Sequence, residues 1–283
     1  MKRRWFLAGL GLSAIGASCQ APEVETSRSA EPEGEAAQAA RDVTALVMVT
    51  TANYPPYEQL KPSDEDDVLP ANERRPADSA PLTDGEVVGF DIDLAKLIAQ
   101  KLDRQLSILN LQFDALIPAL VDDEADIAMA ALEPTRDRKQ QVDFSNIYYR
   151  SRQALISIDG YLRPRDLGYQ TIGIRSNSVQ ARYVNSLRNG LPGLDIVTYD
   201  SLDEVFEALD RGVVEGIFVE TTVAETYLQR YADFEAQIMP SEQPAGSAIA
   251  LPKNSPLQQE INQAITDIKA SGEMTQLITQ WFS

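Results

Sequence analysis

The chain has 283 residues, a hydrophobic share of 43% and a formal net charge of −18. Its length allows two domains of ordinary size, whereas its acidity argues against binding to nucleic acid or anionic lipid, which needs clustered lysine and arginine. It contains no histidine, which excludes Ser-His and Cys-His nucleophiles and most zinc sites, and no phosphate-binding glycine loop. We expect no metal and no cofactor, although carboxylate acid–base chemistry stays open.

The N-terminus predicts export. "MKRRWFLAGLGLSAIGASC" begins with basic residues and continues with an uncharged run too short to span a membrane, so residues 1–18 are predicted to be a signal peptide. The stretch resembles a bacterial lipoprotein signal in which Cys19, the only cysteine, is lipidated. "RRWFL" also resembles a twin-arginine signal, and a plain signal peptide is the alternative. Residues 19–42 are predicted to be a lipid-anchored flexible tether, because they contain no aromatic residue and cannot bury enough apolar area to fold.

The first half of the body alternates predicted strands with predicted helices. A continuous β-prone run at 43–51 is typical of a strand covered on both faces. The elements predicted after it are a helix at 90–102, a strand at 105–112, a helix at 114–123 and a strand at 125–132. The order β-α-β-α-β indicates a parallel, doubly wound sheet that binds ligands at the carboxyl ends of its strands.

Residues 58–87 interrupt this order. The segment is rich in proline and acidic residues and has no periodicity, so we predict a long acidic loop insertion. Its "DEDD" at 64–67 could attract a divalent cation, but calcium loops place their ligands at alternating positions around a glycine turn. Solvated charge is the favoured interpretation.

A second α/β unit follows the first. Its predicted strands lie at 170–175, 194–200 and 213–220, and its predicted helices at 179–189, 201–212 and 222–231. A short segment at 246–253 and an amphipathic tail then close the chain. Two similar units with two connecting segments predict a bilobed α/β protein with a ligand cleft between the lobes.

Four motifs, "NYPPYE", "GFDIDLAKLIAQKL", "FDALIPAL" and "ADIAMAALEPTRDRKQQVDFSNIYY", follow one another in the chain. In this order they strongly resemble the polar amino-acid-binding proteins of bacterial ABC importers, the family 3 solute-binding proteins. The resemblance covers about residues 43–283 and implies a periplasmic binding protein type 2 fold, with two lobes joined by a two-strand hinge. Lobe one would comprise 43–155 and 245–283, and lobe two 156–244. An extracytoplasmic monomer would close on a free amino acid and deliver it to the transporter permease.

The resemblance assigns groups to the ligand's α-carboxylate and α-ammonium. Arg138 would clamp the carboxylate with its guanidinium fork, whereas Arg136 is expected to be solvated charge. Ser178, at a helix start, would hold the same carboxylate, and Asn177 replaces the family's usual glycine there. Alternatively, Ser178 is only the helix N-cap. Glu220 would pair with the ammonium group.

The resemblance also indicates which residues surround the ligand side chain. Tyr54 and Phe113 match two aromatic residues that sandwich it, and core packing is the alternative for each of them. Asp91 matches an acid that sometimes contacts the ligand side chain. Ala131 and Glu133 depart from the family pattern, which has Gly or Ser and Ser or Thr at these positions. A carboxylate at Glu133, close to the ligand ammonium and Glu220, favours positive charge. A basic ligand such as arginine or lysine is therefore favoured.

Two other functions stay open at this point. A dehydratase of the cyclohexadienyl or arogenate type uses the same fold with a carboxylate as acid, and Glu133 is the residue that permits it. A ligand-sensing subunit would report to a separate signalling chain. The favoured prediction is a binding protein without catalytic residues.

Overall fold

The computed structural model describes residues 44–61, 81–82, 87–158, 163–239 and 245–282. The predicted signal peptide, Cys19, the tether and the acidic stretch at 64–67 lie outside the described residues.

The described residues form sixteen strands and eight α-helices. The strands are β1 Ala45–Thr50, β2 Asn53–Tyr54, β3 Glu58–Leu60, β4 Pro81–Leu82, β5 Val87–Val88, β6 Gln105–Asn110, β7 Ile127–Ala128, β8 Asp143–Phe144, β9 Tyr149–Ser151, β10 Gln153–Ser157, β11 Thr171–Arg175, β12 Asp195–Tyr199, β13 Gly216–Glu220, β14 Glu235–Ile238, β15 Ala245–Ser247 and β16 Ala250–Leu251. The helices are α1 Phe90–Lys101, α2 Leu116–Val121, α3 Arg136–Gln141, α4 Val179–Leu187, α5 Leu202–Asp210, α6 Thr221–Leu228, α7 Leu257–Ser271 and α8 Glu273–Phe282. Within these residues no helix combines the length and apolar character that crossing a membrane requires.

Two large sheets give the protein its two lobes. The first has the strand order β4-β6-β1-β7-β16-β8, and the second has the order β12-β11-β13-β10-β14. The central pairs are parallel in both sheets, β1 with β6 and β7, and β11 with β12 and β13. Helices connect these parallel strands, as crossover connections require. The predicted α/β class and the doubly wound lobes are therefore confirmed.

The chain passes between the two sheets twice. It leaves the first sheet after β8 and enters the second with β10, and it returns between β14 and β16. The connecting strands β9 and β15 pair antiparallel in a two-stranded sheet of their own. Their position is that of the predicted two-strand hinge, and the predicted lobe boundary at residue 155 falls within β10.

The core explains why continuous apolar runs form the central strands. In β1, Leu46 and Met48 face one apolar cluster, while Val49 faces another on the opposite side of the sheet. All three side chains are fully buried, so the sheet is covered on both faces. At roughly 25 cal/mol per Å² of apolar area removed from water, such strands contribute much of the stabilisation of each lobe.

Several predicted elements differ in extent from the structure. The strand predicted at 125–132 is only Ile127–Ala128, because the chain turns away from the sheet before Glu133 and Ala131 has φ of 49°. The prediction of a continuous loop over 58–87 is wrong near both ends. The segment contains the strands β3 and β4 and the first residue of β5. β3 pairs with β2 and β5, which orders backbone that the acidic composition alone had suggested to be solvated.

Candidate functional site

A cleft pocket lies at the carboxyl ends of strands from both large sheets, where doubly wound folds bind ligands. Its lining residues are Tyr54, Phe113, Ala131, Glu133, Arg138, Arg175, Ser178, Val179, Gln180 and Glu220. Seven of the eight residues that the sequence assigned to the ligand are among them. The exception is Asp91. The sequence analysis missed three lining residues, Arg175, Val179 and Gln180, of which only Arg175 is charged.

Arg138 lies between the lobes. It is 8% exposed, and its Nη1 donates to the carbonyl oxygen of Glu133 at 3.1 Å, while Nη2 donates to that of Asn177 at 3.3 Å. Thr135 caps helix α3 and accepts a hydrogen bond from the Arg138 backbone amide, which orients the helix start. Burial, with Arg182 and Arg175 nearby, lowers the pKa of Arg138 to about 10, so it is a cation at neutral pH. Arg136, two residues earlier, is exposed.

Ser178 lines the pocket and also caps helix α4. Its hydroxyl donates to the carbonyl oxygen of Arg175 at 2.7 Å and accepts from the amide of Ala181 at 3.0 Å. Ser178 is therefore the N-cap of helix α4, and its role in binding a ligand stays a prediction. Asn177 has φ of 54°, the left-handed conformation in which asparagine is tolerated in place of glycine.

Glu220 ends β13 and is 2% exposed. Its Oε2 accepts hydrogen bonds from the hydroxyl of Tyr57, at 2.7 Å, and from that of Ser151. Burial raises the pKa of Glu220, while these two hydrogen bonds and Arg175 oppose the rise. The carboxyl group is therefore fixed in place, and it faces the pocket as the ammonium partner was expected to.

Glu133 brings a second carboxyl group to the same pocket. Its Oε1 is buried and accepts no hydrogen bond within the described residues. Burial and the neighbouring Glu220 raise the pKa of Glu133 to about 7, against the opposing influence of Arg138 and Arg182. A donor or cation placed in the pocket would satisfy this oxygen and favour the ionised form.

Arg175 ends β11 and is 5% exposed. Its guanidinium lies between two aromatic rings, with the Cζ atom 4.2 Å from the ring centroid of Tyr54 and 3.8 Å from that of Phe113. The sequence held a signal for it, because "QTIGIR" is a buried strand whose last residue is charged. Such a residue lies at the edge of the sheet where ligands bind.

Asp91 lies behind the pocket wall instead of lining it. It is fully buried in helix α1, where its carboxylate accepts hydrogen bonds from the Ala131 amide at 3.0 Å and the Tyr148 hydroxyl at 2.8 Å. Burial raises its pKa to about 7. In this place it supports the turn at Ala131 through the hydrogen bond from the Ala131 amide.

The arrangement suits the binding of a small zwitterion better than the binding of a metal. No cluster of carboxylate or cysteine side chains among the described residues could hold a metal ion. The pocket has two arginines, Arg138 and Arg175, and two carboxyl groups, Glu133 and Glu220. A ligand that carries both charges would find a partner for each.

Residues 71–283, which are 213 of the 283 residues, match the bacterial extracellular solute-binding proteins, family 3. The chain belongs to this family. Among its relatives within the solute-binding proteins is the arginine-binding extracellular protein ArtP of Bacillus subtilis (strain 168), which is 29% identical over 244 residues, 84% of this chain and 86% of ArtP.

Solved structures of solute-binding proteins resemble the fold over the same part of the chain. The substrate-binding protein of an amino acid ABC transporter is 33% identical with a TM-score of 0.71, over 84% of this chain and 99% of that one. An ancestral arginine-binding protein bound to arginine is 29% identical with a TM-score of 0.71, over 85% and 99%. The predictions of a type 2 periplasmic binding fold, an extracytoplasmic location and a binding protein rather than an enzyme are confirmed.

Proposed function

We propose that this solute-binding protein holds a free polar L-amino acid between its lobes and delivers it to the permease of an ABC importer. The observation that carries the proposal is the charge arrangement of the pocket. Arg138 provides a buried guanidinium on one lobe, and Glu220 a buried carboxyl group on the other. An α-carboxylate pairs with the first through charge-assisted hydrogen bonds, and an α-ammonium with the second.

The side-chain end of the pocket supports a basic ligand. Tyr54 and Phe113 already hold a guanidinium between their rings, so this pair has the spacing that a cationic side chain needs. Glu133 adds a carboxylate at the same pocket. Two of the proteins described above, ArtP and the ancestral protein bound to arginine, are arginine-binding proteins, which agrees with arginine or lysine as the ligand of this chain.

We also propose how the lobes close and how the protein is attached to a membrane. The lobes would close by bending at β9 and β15. The predicted bounds are 43–155 plus 245–283 for lobe one and 156–244 for lobe two. Lipidation of Cys19 would anchor the protein to a membrane, and it would act as a monomer.

A thermal-shift panel of the twenty L-amino acids and their D-enantiomers tests this function. A ligand at 100 times its dissociation constant stabilises the folded protein by about 2.7 kcal/mol, which raises Tm by about 5 °C or more at this size. We expect such a shift with L-arginine or L-lysine and a much smaller one with the D-forms. Absence of a shift with every amino acid would contradict the proposal.

A further inference from the structure

Arg175 occupies the position that the sequence assigns to the ligand side chain. Its guanidinium lies in the sandwich of Tyr54 and Phe113, 4.2 Å and 3.8 Å from the two ring centroids. Arg175 belongs to β11 of the second sheet, whereas Phe113 follows β6 of the first. A cation of the protein itself therefore fills the aromatic sandwich and joins the two lobes across the cleft.

The pocket does not have room for an amino acid beside this side chain. The free volume among the lining residues is about 10 Å³, roughly the space that one water molecule needs. A cavity that holds about one water molecule is too small for an amino acid. A ligand side chain can enter the sandwich only when Arg175 leaves it.

The contact of the Arg175 guanidinium with the two aromatic rings is attractive, but the hydrogen bonding of Arg175 is incomplete. Two aromatic faces attract a cation. Burial lowers the pKa of Arg175, while Tyr54, Glu58 and Glu220 oppose the fall. However, its Nε and Nη1 are buried and donate to no partner within the described residues. Unpaired buried donors cost free energy, so the side chain is not locked in place. Its attraction to the two rings still allows it to compete with a ligand.

We propose that Arg175 is an intramolecular competitor of the ligand. It closes the lobes over the aromatic sandwich in the ligand-free protein, and it must leave the sandwich before a ligand side chain binds there. This inference rests on the proposed function, because both concern the same pocket. The apparent dissociation constant is then the intrinsic one divided by the fraction of molecules whose sandwich is free. The affinity for every ligand whose side chain enters the sandwich is reduced by this same factor, whatever the charge of that side chain.

Calorimetric titration with L-arginine and L-glutamine tests the competition. The two ligands have long side chains, but only arginine is cationic at its end. Arg175→Ala is expected to raise the affinity for both by about tenfold or more. The matched control Arg136→Ala removes an exposed arginine with the same charge and is expected to leave both affinities unchanged.

Three results of this titration would overturn the inference. Equal affinities in Arg175→Ala and wild type would mean that Arg175 does not compete. A gain confined to L-arginine would show like-charge repulsion instead of occupancy of the sandwich. A loss of affinity would make Arg175 a hydrogen-bond donor to the ligand.

Small-angle X-ray scattering on the ligand-free proteins separates this inference from the proposed function. Arg175→Ala is expected to have a larger radius of gyration than wild type, because one of the buried contacts that join the lobes is lost, while Arg136→Ala stays as compact as wild type. Equal radii for Arg175→Ala and wild type would overturn the inference even if amino acids bind. If no variant binds any amino acid, the proposed function fails, and the scattering comparison still decides the role of Arg175. Arg175→Gln replaces the alanine variant if the latter does not fold.

Discussion

We expect Glu133 to make ligand binding sensitive to pH. Its pKa of about 7 comes from burial and from Glu220, while Arg138 and Arg182 act in the opposite direction. Near neutral pH the carboxyl group is therefore partly protonated in the ligand-free protein. A ligand cation beside it stabilises the carboxylate and lowers its pKa. Ligand binding must then release a proton wherever the free protein carries one.

The affinity for L-arginine is expected to fall about tenfold from pH 8 to pH 6, because at pH 6 roughly nine in ten Glu133 side chains are protonated in the free protein. The free protein binds more protons than the complex in this range, so affinity rises with pH. Calorimetry at both pH values measures the change, with Glu133→Gln as a control whose profile should be flatter. A wild-type affinity that is constant or rises towards pH 6 would contradict the coupling.

Single residues show which parts of the site the sequence could predict. Glu220 ends a predicted strand, Arg138 and Ser178 lie in motifs that follow predicted strands, and the structure brings all three to one pocket. Arg175 could not be placed in this way, because a charge at the end of a strand does not determine where a long, flexible side chain points. That direction depends on two rings of the other lobe, Tyr54 and Phe113, which are distant in sequence.

At the scale of elements, the start of helix α1 fixes the wall behind the pocket. Gly89 precedes the helix with φ of 143°, and an added Cβ would lie 2.1 Å from the carbonyl oxygen of Tyr57. The chain therefore passes too close to itself for any side chain. This close approach places Asp91 where it accepts the hydrogen bond from Ala131.

Gly89→Ala is expected to destabilise the protein by about 2 kcal/mol or more, because it combines backbone strain with a steric clash. Urea unfolding measures the change in the free energy of unfolding. Gly212→Ala is the matched control, since Gly212 also has positive φ, 65°, but an added Cβ there meets nothing within 4 Å. Its cost should be about 1 kcal/mol. Equal costs at the two positions would contradict the role of the close approach.

Long periodic elements were predictable, and short ones were not. The helices predicted at 90–102 and 201–212 are both present, as α1 and α5. Helix α3 was missed, because six polar and charged residues show no apolar face. The strands β8, β9 and β10 were also missed, since their order comes from pairing with distant partners such as β13 and β15 and not from a pattern within the segment.

At the scale of the whole molecule, contacts between the lobes surround the pocket. Tyr57 of the first lobe donates to Glu220 of the second at 2.7 Å, and Arg182 pairs with Asp137 at 3.7 Å near the surface. The exposed pair contributes little, whereas the buried hydrogen bond is shielded from water. The two repeated α/β units predicted a bilobed protein, but closure depends on such pairs of side chains, which no pattern within one lobe reveals.

Calorimetric titration of matched Arg138→Ala and Arg136→Ala variants tests most directly whether the cleft binds an amino acid between its lobes. Both substitutions remove one arginine from helix α3, but only Arg138 is buried in the pocket. Truncating one partner of a buried charge pair costs about 2–5 kcal/mol, so Arg138→Ala should weaken binding of the preferred amino acid by roughly 30-fold or more, while Arg136→Ala binds like wild type. Equal affinity in the two variants would contradict binding through Arg138.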